Sequence, residues 1–160
     1  MRQLYLAGAI AALALTALAC NNQLTGPESV TYIATMNGAN ERPNPATTSA
    51  TGVATYVLTG NTLTYVITVN GLTTPANGSH LHIGGPAVAG PILVPYPTAG
   101  ITSGQVTSGT IDLSNPIANG SISISGDSLR ALLNNGNAYA NVHNSTFPGG
   151  EVRGQILRRN

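Results

Sequence analysis

The sequence predicts an all-β protein, an antiparallel Greek-key β-sandwich with one short helix. Short runs rich in Val, Ile, Thr and Tyr alternate apolar and polar residues, which is the pattern of strands with one buried face. The 19 glycines and 10 prolines of the chain punctuate these runs as turn residues do. The length of 160 residues suits one domain. Short strands at this spacing are typical of a sandwich or a barrel.

The strand pattern recurs from residue 30 to residue 157. Segments 51–58 and 62–69 are joined by a short turn at Gly60 and Asn61, and we expect them to form a hairpin. The predicted strands are residues 30–36, 51–58, 62–69, 79–83, 92–94, 105–113, 121–125, 137–144 and 151–157.

The core is expected to come from apolar side chains on one face of each strand. Val66 and Ile67 cannot both point inward, because successive side chains of a regular strand point to opposite faces. The expected core residues are Val53, Val57, Val66, Ile67, Leu81, Ile83, Ala140, Val142 and Ile156.

Segment 126–136 breaks the strand pattern and predicts a short helix near residues 127–134. Its leucines, Leu129, Leu132 and Leu133, form a stripe at helical spacing. Asp127 or Ser128 can cap the start, and a glycine at position 136 can close the end.

The N-terminal residues predict export. Residues 1–19 contain one basic residue, an apolar run and a small-residue end, and we interpret them as a signal peptide. Cys20, the one cysteine, follows directly, which resembles the lipidated cysteine of a bacterial lipoprotein signal. Cleavage by ordinary signal peptidase is the alternative. Residues 20–29 form the lipidated cysteine and a polar tether, so the predicted partner is a membrane, at the outer membrane or cell surface.

The charge of the chain is low. Charged residues make up 7% of the sequence, Lys is absent and the formal net charge is +1. A nucleic-acid partner therefore has no electrostatic support. No paired carboxylates, phosphate loop or nucleophile elbow indicate an enzyme.

Two of the three histidines, His80 and His82, lie one residue apart in a predicted strand. If Leu81 and Ile83 face the core, both imidazoles stand on the opposite face. The third, His143, shares a face with Tyr139 and Asn141 in segment 137–144. Three imidazoles suit copper or zinc, and affinity order favours copper(II). A polar cluster that holds the following Gly- and Pro-rich loop is the alternative.

The chain resembles the CHRD domain family, named after chordin, a secreted antagonist of bone morphogenetic proteins. The likeness covers residues 30–157 and implies an extracytoplasmic binding or scaffold module without demonstrated catalysis. It rests on Gly38, Glu41 and Pro43, on His80 and His82, on Tyr139, Asn141, Val142 and His143, and on the run from Gly149 to Ile156.

A second resemblance concerns copper–zinc superoxide dismutases, and it implies a dismutase- or immunoglobulin-like sandwich. A His-x-His strand, a Gly-Pro loop and a late Val-His are similar to the copper-ligand positions of those enzymes. That likeness makes His80, His82 and His143 copper ligands. The metal-bridging histidine, the zinc ligands and the disulfide cysteines of the enzymes have no counterpart here. We therefore expect metal binding rather than strong dismutase activity.

The remaining polar motif residues are expected to be structural. Glu151 and Arg153 alternate on the last strand and are predicted to form exposed edge ion pairs with Glu41 or Arg42, which contribute little. Asn141 and Pro43 belong to the same structural motif. Asn141 is expected to hydrogen-bond a loop, and the alternative is that it orients the candidate metal ligands.

Overall fold

A computed structural model describes residues 26–159, so the predicted signal peptide and Cys20 lie outside the described residues. Across residues 26–159, no helix has the length and apolar character needed to span a membrane. The described elements, in chain order, are β1 (Ser29–Asn37), a 3-10 turn (Gly38–Asn40), β2 (Thr51–Thr59), β3 (Thr62–Asn70), β4 (Ala76–Ile83), β5 (Ile92–Tyr96), β6 (Gly104–Asp112), β7 (Ile117–Asn119), β8 (Ile122–Ile124), α1 (Gly126–Asn134), β9 (Ala138–Asn144), β10 (Val152–Gln155) and β11 (Leu157–Arg158).

Most of the strands form one antiparallel sheet. Its order is β5-β4-β9-β10-β1-β2-β3-β6, with β11 also paired to β1. The predicted β2–β3 hairpin is confirmed, and its two-residue turn places Gly60 at φ +58°. β4 lies beside β9 and not beside β3, so the sheet is not a simple meander. β7 and β8 form a separate two-stranded hairpin.

The sheet curls until it nearly closes around one core. Tyr96 on β5, at one end of the strand order, stacks on Tyr65 of β3 with ring centroids 4.2 Å apart. The hydroxyl of Tyr96 also lies 3.3 Å from that of Tyr56 on β2. The all-β antiparallel class with one short helix is therefore confirmed, as a sheet wrapped towards a barrel or sandwich.

The predicted core is correct for most strands and wrong for β2. Val53 is 42% exposed, whereas Ala54, Tyr56 and Leu58 on the other face are buried. Both faces of β2 carry apolar residues, so periodicity alone does not choose between them; the face with Tyr56 buries more apolar area and is selected. Ile67, Leu81, Ala140, Val142 and Ile156 are buried as predicted, and Val57, Val66 and Ile83 are half-buried.

The helix lies where the leucine stripe predicts it, but its cap is different. Ser125 is the N-cap, because its backbone is extended and its side chain accepts a hydrogen bond from the backbone N–H of Ser128. Neither Asp127 nor Ser128 has that position. Leu129 and Leu133 are fully buried, and Gly136 follows the helix at φ +64°. The helix therefore covers one part of the core.

Glu151 joins three segments beneath the end of β9, and the expected exposed ion pair is wrong. Its side chain is completely buried and accepts hydrogen bonds from the Thr48 hydroxyl at 2.7 Å, from the Thr73 backbone N–H at 3.1 Å and from the amide of Asn144. In residues 26–159 the ion pair found is between Asp127 and an arginine of α1, at 3.7 Å. Hydroxyl and amide donors, and not a positively charged side chain, therefore satisfy the Glu151 carboxyl group.

Replacing Glu151 by Gln is expected to destabilise the protein by about 1–3 kcal/mol, because one buried oxygen becomes an N–H₂ that faces other donors. Urea unfolding of E151Q measures this, with the exposed Glu28 changed in E28Q as the matched control. Equal unfolding midpoints for E151Q and E28Q would contradict the anchoring role.

Candidate metal centre

The strand register puts the candidate site residues into two rows across β4, β9 and β10. His80 pairs with Asn141, which pairs with Arg153. In the next row His82 pairs with Tyr139. Directly paired residues of antiparallel strands share a face. All five side chains therefore lie on the side of the sheet that faces away from the apolar core.

That outward face is covered and not exposed. Residues 84–91 fold back over it, and Arg153 donates from Nη2 to the carbonyl oxygen of Gly85 at 2.9 Å. His82 is 6% exposed, and Tyr139, Asn141 and Arg153 are also buried. The sequence predicts the correct face for the histidines, but the loop turns that face into a second, polar interior.

The three histidines converge within it. One ligand atom from each of His80, His82 and His143 can be chosen so that all three lie within 4.8 Å of one another. Nδ1 of His80 lies 3.0 Å from Nε2 of His143. The ring centroids of these two residues are 4.8 Å apart, and those of His80 and His82 are 5.5 Å apart. The predicted convergence is therefore present.

The contact between His80 and His143 crosses from β4 to β9. His143 pairs with Gly78 across the two strands, so the two imidazoles are diagonal neighbours. A Cβ on Gly78 would lie 3.4 Å from the His80 ring, at ordinary van der Waals distance. The His80 ring therefore lies over Gly78 and against His143.

Backbone carbonyls fix which nitrogen of two imidazoles carries the hydrogen. Nδ1 of His82 lies 2.9 Å from the carbonyl oxygen of Gly90, and Nδ1 of His143 lies 3.0 Å from that of Pro148. A carbonyl only accepts, so each Nδ1 donates its hydrogen. In the neutral rings both Nε2 atoms are therefore left with lone pairs, and that of His143 can accept the Nδ1 hydrogen of His80 at 3.0 Å. This is the arrangement in which histidine commonly ligates a metal through one nitrogen and donates from the other.

His82 lies at one end of a stack of three side chains. The Tyr139 ring lies parallel to the His82 ring, with centroids 4.6 Å apart and an interplanar angle of 9°. The Arg153 guanidinium carbon lies 3.4 Å from the centroid of the same tyrosine ring. The Tyr139 hydroxyl donates to the carbonyl oxygen of Gly90. The imidazole is thus held by stacking as well as by its hydrogen bond.

Glu41 lies at the edge of the cluster and is 2% exposed. Burial raises its pKa to about 7, although Arg153 and the nearby Asn141 side chain lower it in part. Its Oε1 has no hydrogen-bond partner within the described chain. Gly150, at φ +125°, passes so close that any side chain there would overlap the carboxyl group. Pro43 is exposed, and the peptide bond before it is cis.

Burial keeps the imidazoles neutral. It lowers the pKa of His80 to about 4, helped by repulsion from the other two histidines, and it lowers the pKa values of His82 and His143 in the same direction. Neutral imidazole is the form that binds a metal.

Sequence patterns do not reveal every member of this site. Tyr139 shares the face of the histidines, yet nothing in its local pattern indicates that it stacks on His82. The carbonyl groups of Gly90 and Pro148 carry no side-chain signal at all. Only the path of the two loops brings them to the imidazoles.

Comparison with known proteins yields one match. The CHRD domain family matches residues 32–156. No curated protein and no solved structure matches the chain.

Acidification is expected to destabilise the metal-free protein. The folded pKa of His80 lies below the ordinary value of 6.5, so between pH 6.5 and about 4 the unfolded chain binds protons that the folded chain does not. The free energy of unfolding contributed by the histidines is therefore complete above pH 6.5 and falls as the pH falls. Glu41 has the opposite sign, because its raised pKa favours the folded state at low pH and this gain is lost as the pH rises towards 7.

Urea unfolding between pH 7.5 and 4.5 separates the two contributions. Relative to the wild type, we expect a steeper loss of stability on acidification in Glu41→Gln and a shallower loss in His80→Gln. Identical pH profiles for all three proteins would contradict the assigned pKa shifts.

Proposed function

The chain belongs to the CHRD domain family, and on that premise we propose that it is an exported, lipid-anchored binding protein whose three histidines hold copper(II). The proposal of export rests on residues 1–20 and on the likeness to secreted chordin. The metal site is proposed from the side chains themselves.

One observation carries the metal proposal: three imidazoles converge in a part-buried place, and the outer hydrogens of two of them are already used. The Nδ1–H groups of His82 and His143 donate to backbone carbonyls. Nε2 of His143 lies 3.0 Å from Nδ1 of His80. In a metal complex with bonds near 2 Å, neighbouring ligand atoms are about 3 Å apart. His80 and His143 therefore already have the separation of two ligands of one ion, and His82, whose ligand atom lies within 4.8 Å of theirs, has only a short distance to move.

Copper(II) is the preferred ion for this donor set. Imidazole nitrogen suits both copper and zinc, and the affinity order of divalent metals places copper(II) above zinc. The expected roles are storage, delivery or sensing of copper at the cell envelope. The missing bridging histidine argues against strong dismutase turnover.

A metal-free binding or scaffold role is the second candidate, and one observation favours it. His82 and Arg153 both bond the carbonyls of the loop formed by residues 84–91. In that role the histidines hold a loop that presents a binding surface to a protein or surface ligand.

Copper titration distinguishes the two roles. Removing one imidazole in His143→Ala should weaken copper(II) binding at least about tenfold, since even residues that only orient ligands cost 10–100-fold. Zinc should bind the wild type more weakly than copper. Competition with a chromophoric chelator gives the affinities, and the exposed Thr146→Ala is the control. Equal copper affinities for His143→Ala and the wild type would leave the loop-holding role.

Anchoring is tested separately at Cys20. We expect the wild-type protein to fractionate with membranes and Cys20→Ser to appear in the soluble fraction, because acyl chains supply the attachment. Mass spectrometry of the mature N-terminus and immunoblots of the two fractions measure this. A wild-type protein that is soluble and cleaved without lipid would refute the anchor and leave the copper site unaffected.

A further inference from the structure

The side-chain amide of Asn141 lies among the imidazole nitrogens. Its Oδ1 is 3.0 Å from Nε2 of His82 and 3.0 Å from Nε2 of His143. Asn141 itself is 3% exposed. An oxygen therefore stands in the same buried space as the three candidate nitrogen ligands.

Neither imidazole nitrogen beside Oδ1 of Asn141 offers it a hydrogen. Both Nε2 atoms carry lone pairs, because the Nδ1–H groups of His82 and His143 donate to Gly90 and Pro148. A carbonyl-type oxygen is likewise an acceptor only. Nε2 of His143 can accept the Nδ1 hydrogen of His80, but no hydrogen lies between Oδ1 of Asn141 and either Nε2 atom. Such contacts between acceptors are unfavourable in a buried site unless a cation lies there or the amide is turned round.

The Glu41 carboxyl group lies beside the Asn141 side chain, and this amide lowers the pKa of Glu41 in part. The oxygens of an ionised carboxyl group only accept, so with Glu41 ionised the amide is more stable with Nδ2 towards Glu41 and Oδ1 towards the histidines. In the structure Oδ1 is the atom that lies 3.0 Å from both Nε2 atoms. An ionised Glu41 therefore favours the orientation that presents oxygen to the site.

We propose that Oδ1 of Asn141 is a fourth ligand and completes a three-nitrogen, one-oxygen set around copper(II). This inference rests on the proposed copper site. The four atoms follow one another as Nδ1 of His80, Nε2 of His143, Oδ1 of Asn141 and Nε2 of His82, and each of the three successive separations is 3.0 Å.

The order of these atoms fits a tetragonal ion. Neighbouring ligands of a square-planar ion with bonds near 2 Å are about 2.8 Å apart, and those of a tetrahedral ion about 3.3 Å apart. The three separations of 3.0 Å lie closer to the square-planar value than to the tetrahedral one. Tetragonal sites with nitrogen and oxygen ligands select copper(II) or nickel(II) over zinc.

The fourth ligand changes what the site can do. With the four planar positions taken by the protein, substrate has no strong position at the metal. The site then holds copper firmly and exchanges it only when a ligand leaves. Asn141 thereby favours retention and delivery of the metal over chemistry on it.

Copper(II) titration and electron paramagnetic resonance of Asn141 variants test this ligand. Asn141→Leu should bind copper about 10–100-fold more weakly and should show altered g and hyperfine values, with the nitrogen splittings of three imidazoles retained. Asn141→Asp keeps an oxygen at the same position and adds a charge, so we expect it to bind at least as tightly as the wild type, with a shifted spectrum. The exposed Asn115→Leu is the matched control.

The outcomes distinguish failure of the Asn141 ligand from failure of the three-histidine site. Wild-type affinity and an unchanged spectrum in Asn141→Leu, while His143→Ala loses copper, would overturn the oxygen ligand and leave the histidine site standing. If Asn141→Leu does not fold, an Asn141→Asp spectrum and affinity identical to the wild type would overturn it equally. Absence of copper binding by the wild type would overturn both proposals.

Discussion

The outward face of β9 determines much of this structure, because it buries polar side chains against a sheet instead of exposing them. A buried polar group without a partner costs free energy, so each residue of that face needs one. The loops supply them: Gly90 and Pro148 give carbonyls to His82 and His143, and Gly85 gives one to Arg153. These hydrogen bonds therefore hold the loops in place over the side chains that they cover, so the cluster and the covering loops form a single unit.

Much of this arrangement is predictable from the sequence, and the failures have physical causes. Alternation around Leu81 places both neighbouring histidines on the correct face, since strand geometry leaves no other choice. Alternation fails for β2, where both faces are partly apolar and the volume of Tyr56 decides. Covering of the histidine face is not predictable, because it depends on backbone carbonyls of distant loops. The hydrogen-bond partners of Glu151 cannot be predicted for the same reason.

The two buried glutamates show how environment separates identical side chains. Glu151 is surrounded by donors from Thr48, Thr73 and Asn144, and these hydrogen bonds compensate its burial. Glu41 is equally buried, but one of its oxygens has no partner in the described chain, and its pKa is raised to about 7. The first is therefore held in place by its donors, and the second lies beside the amide of Asn141 at the edge of the histidine cluster.

The length of β1 has a consequence for the electrostatic surroundings of the histidine cluster. This strand begins at Ser29 and ends at Asn37, which pairs with Arg153 beside the cluster. Its nine residues span about 26 Å at 3.3 Å per residue. That is about three Debye lengths in a medium of physiological ionic strength. Charges near Ser29 are therefore largely screened before they reach the cluster, so the electrostatic surroundings of the histidines depend on their own neighbours and on the fluid around them.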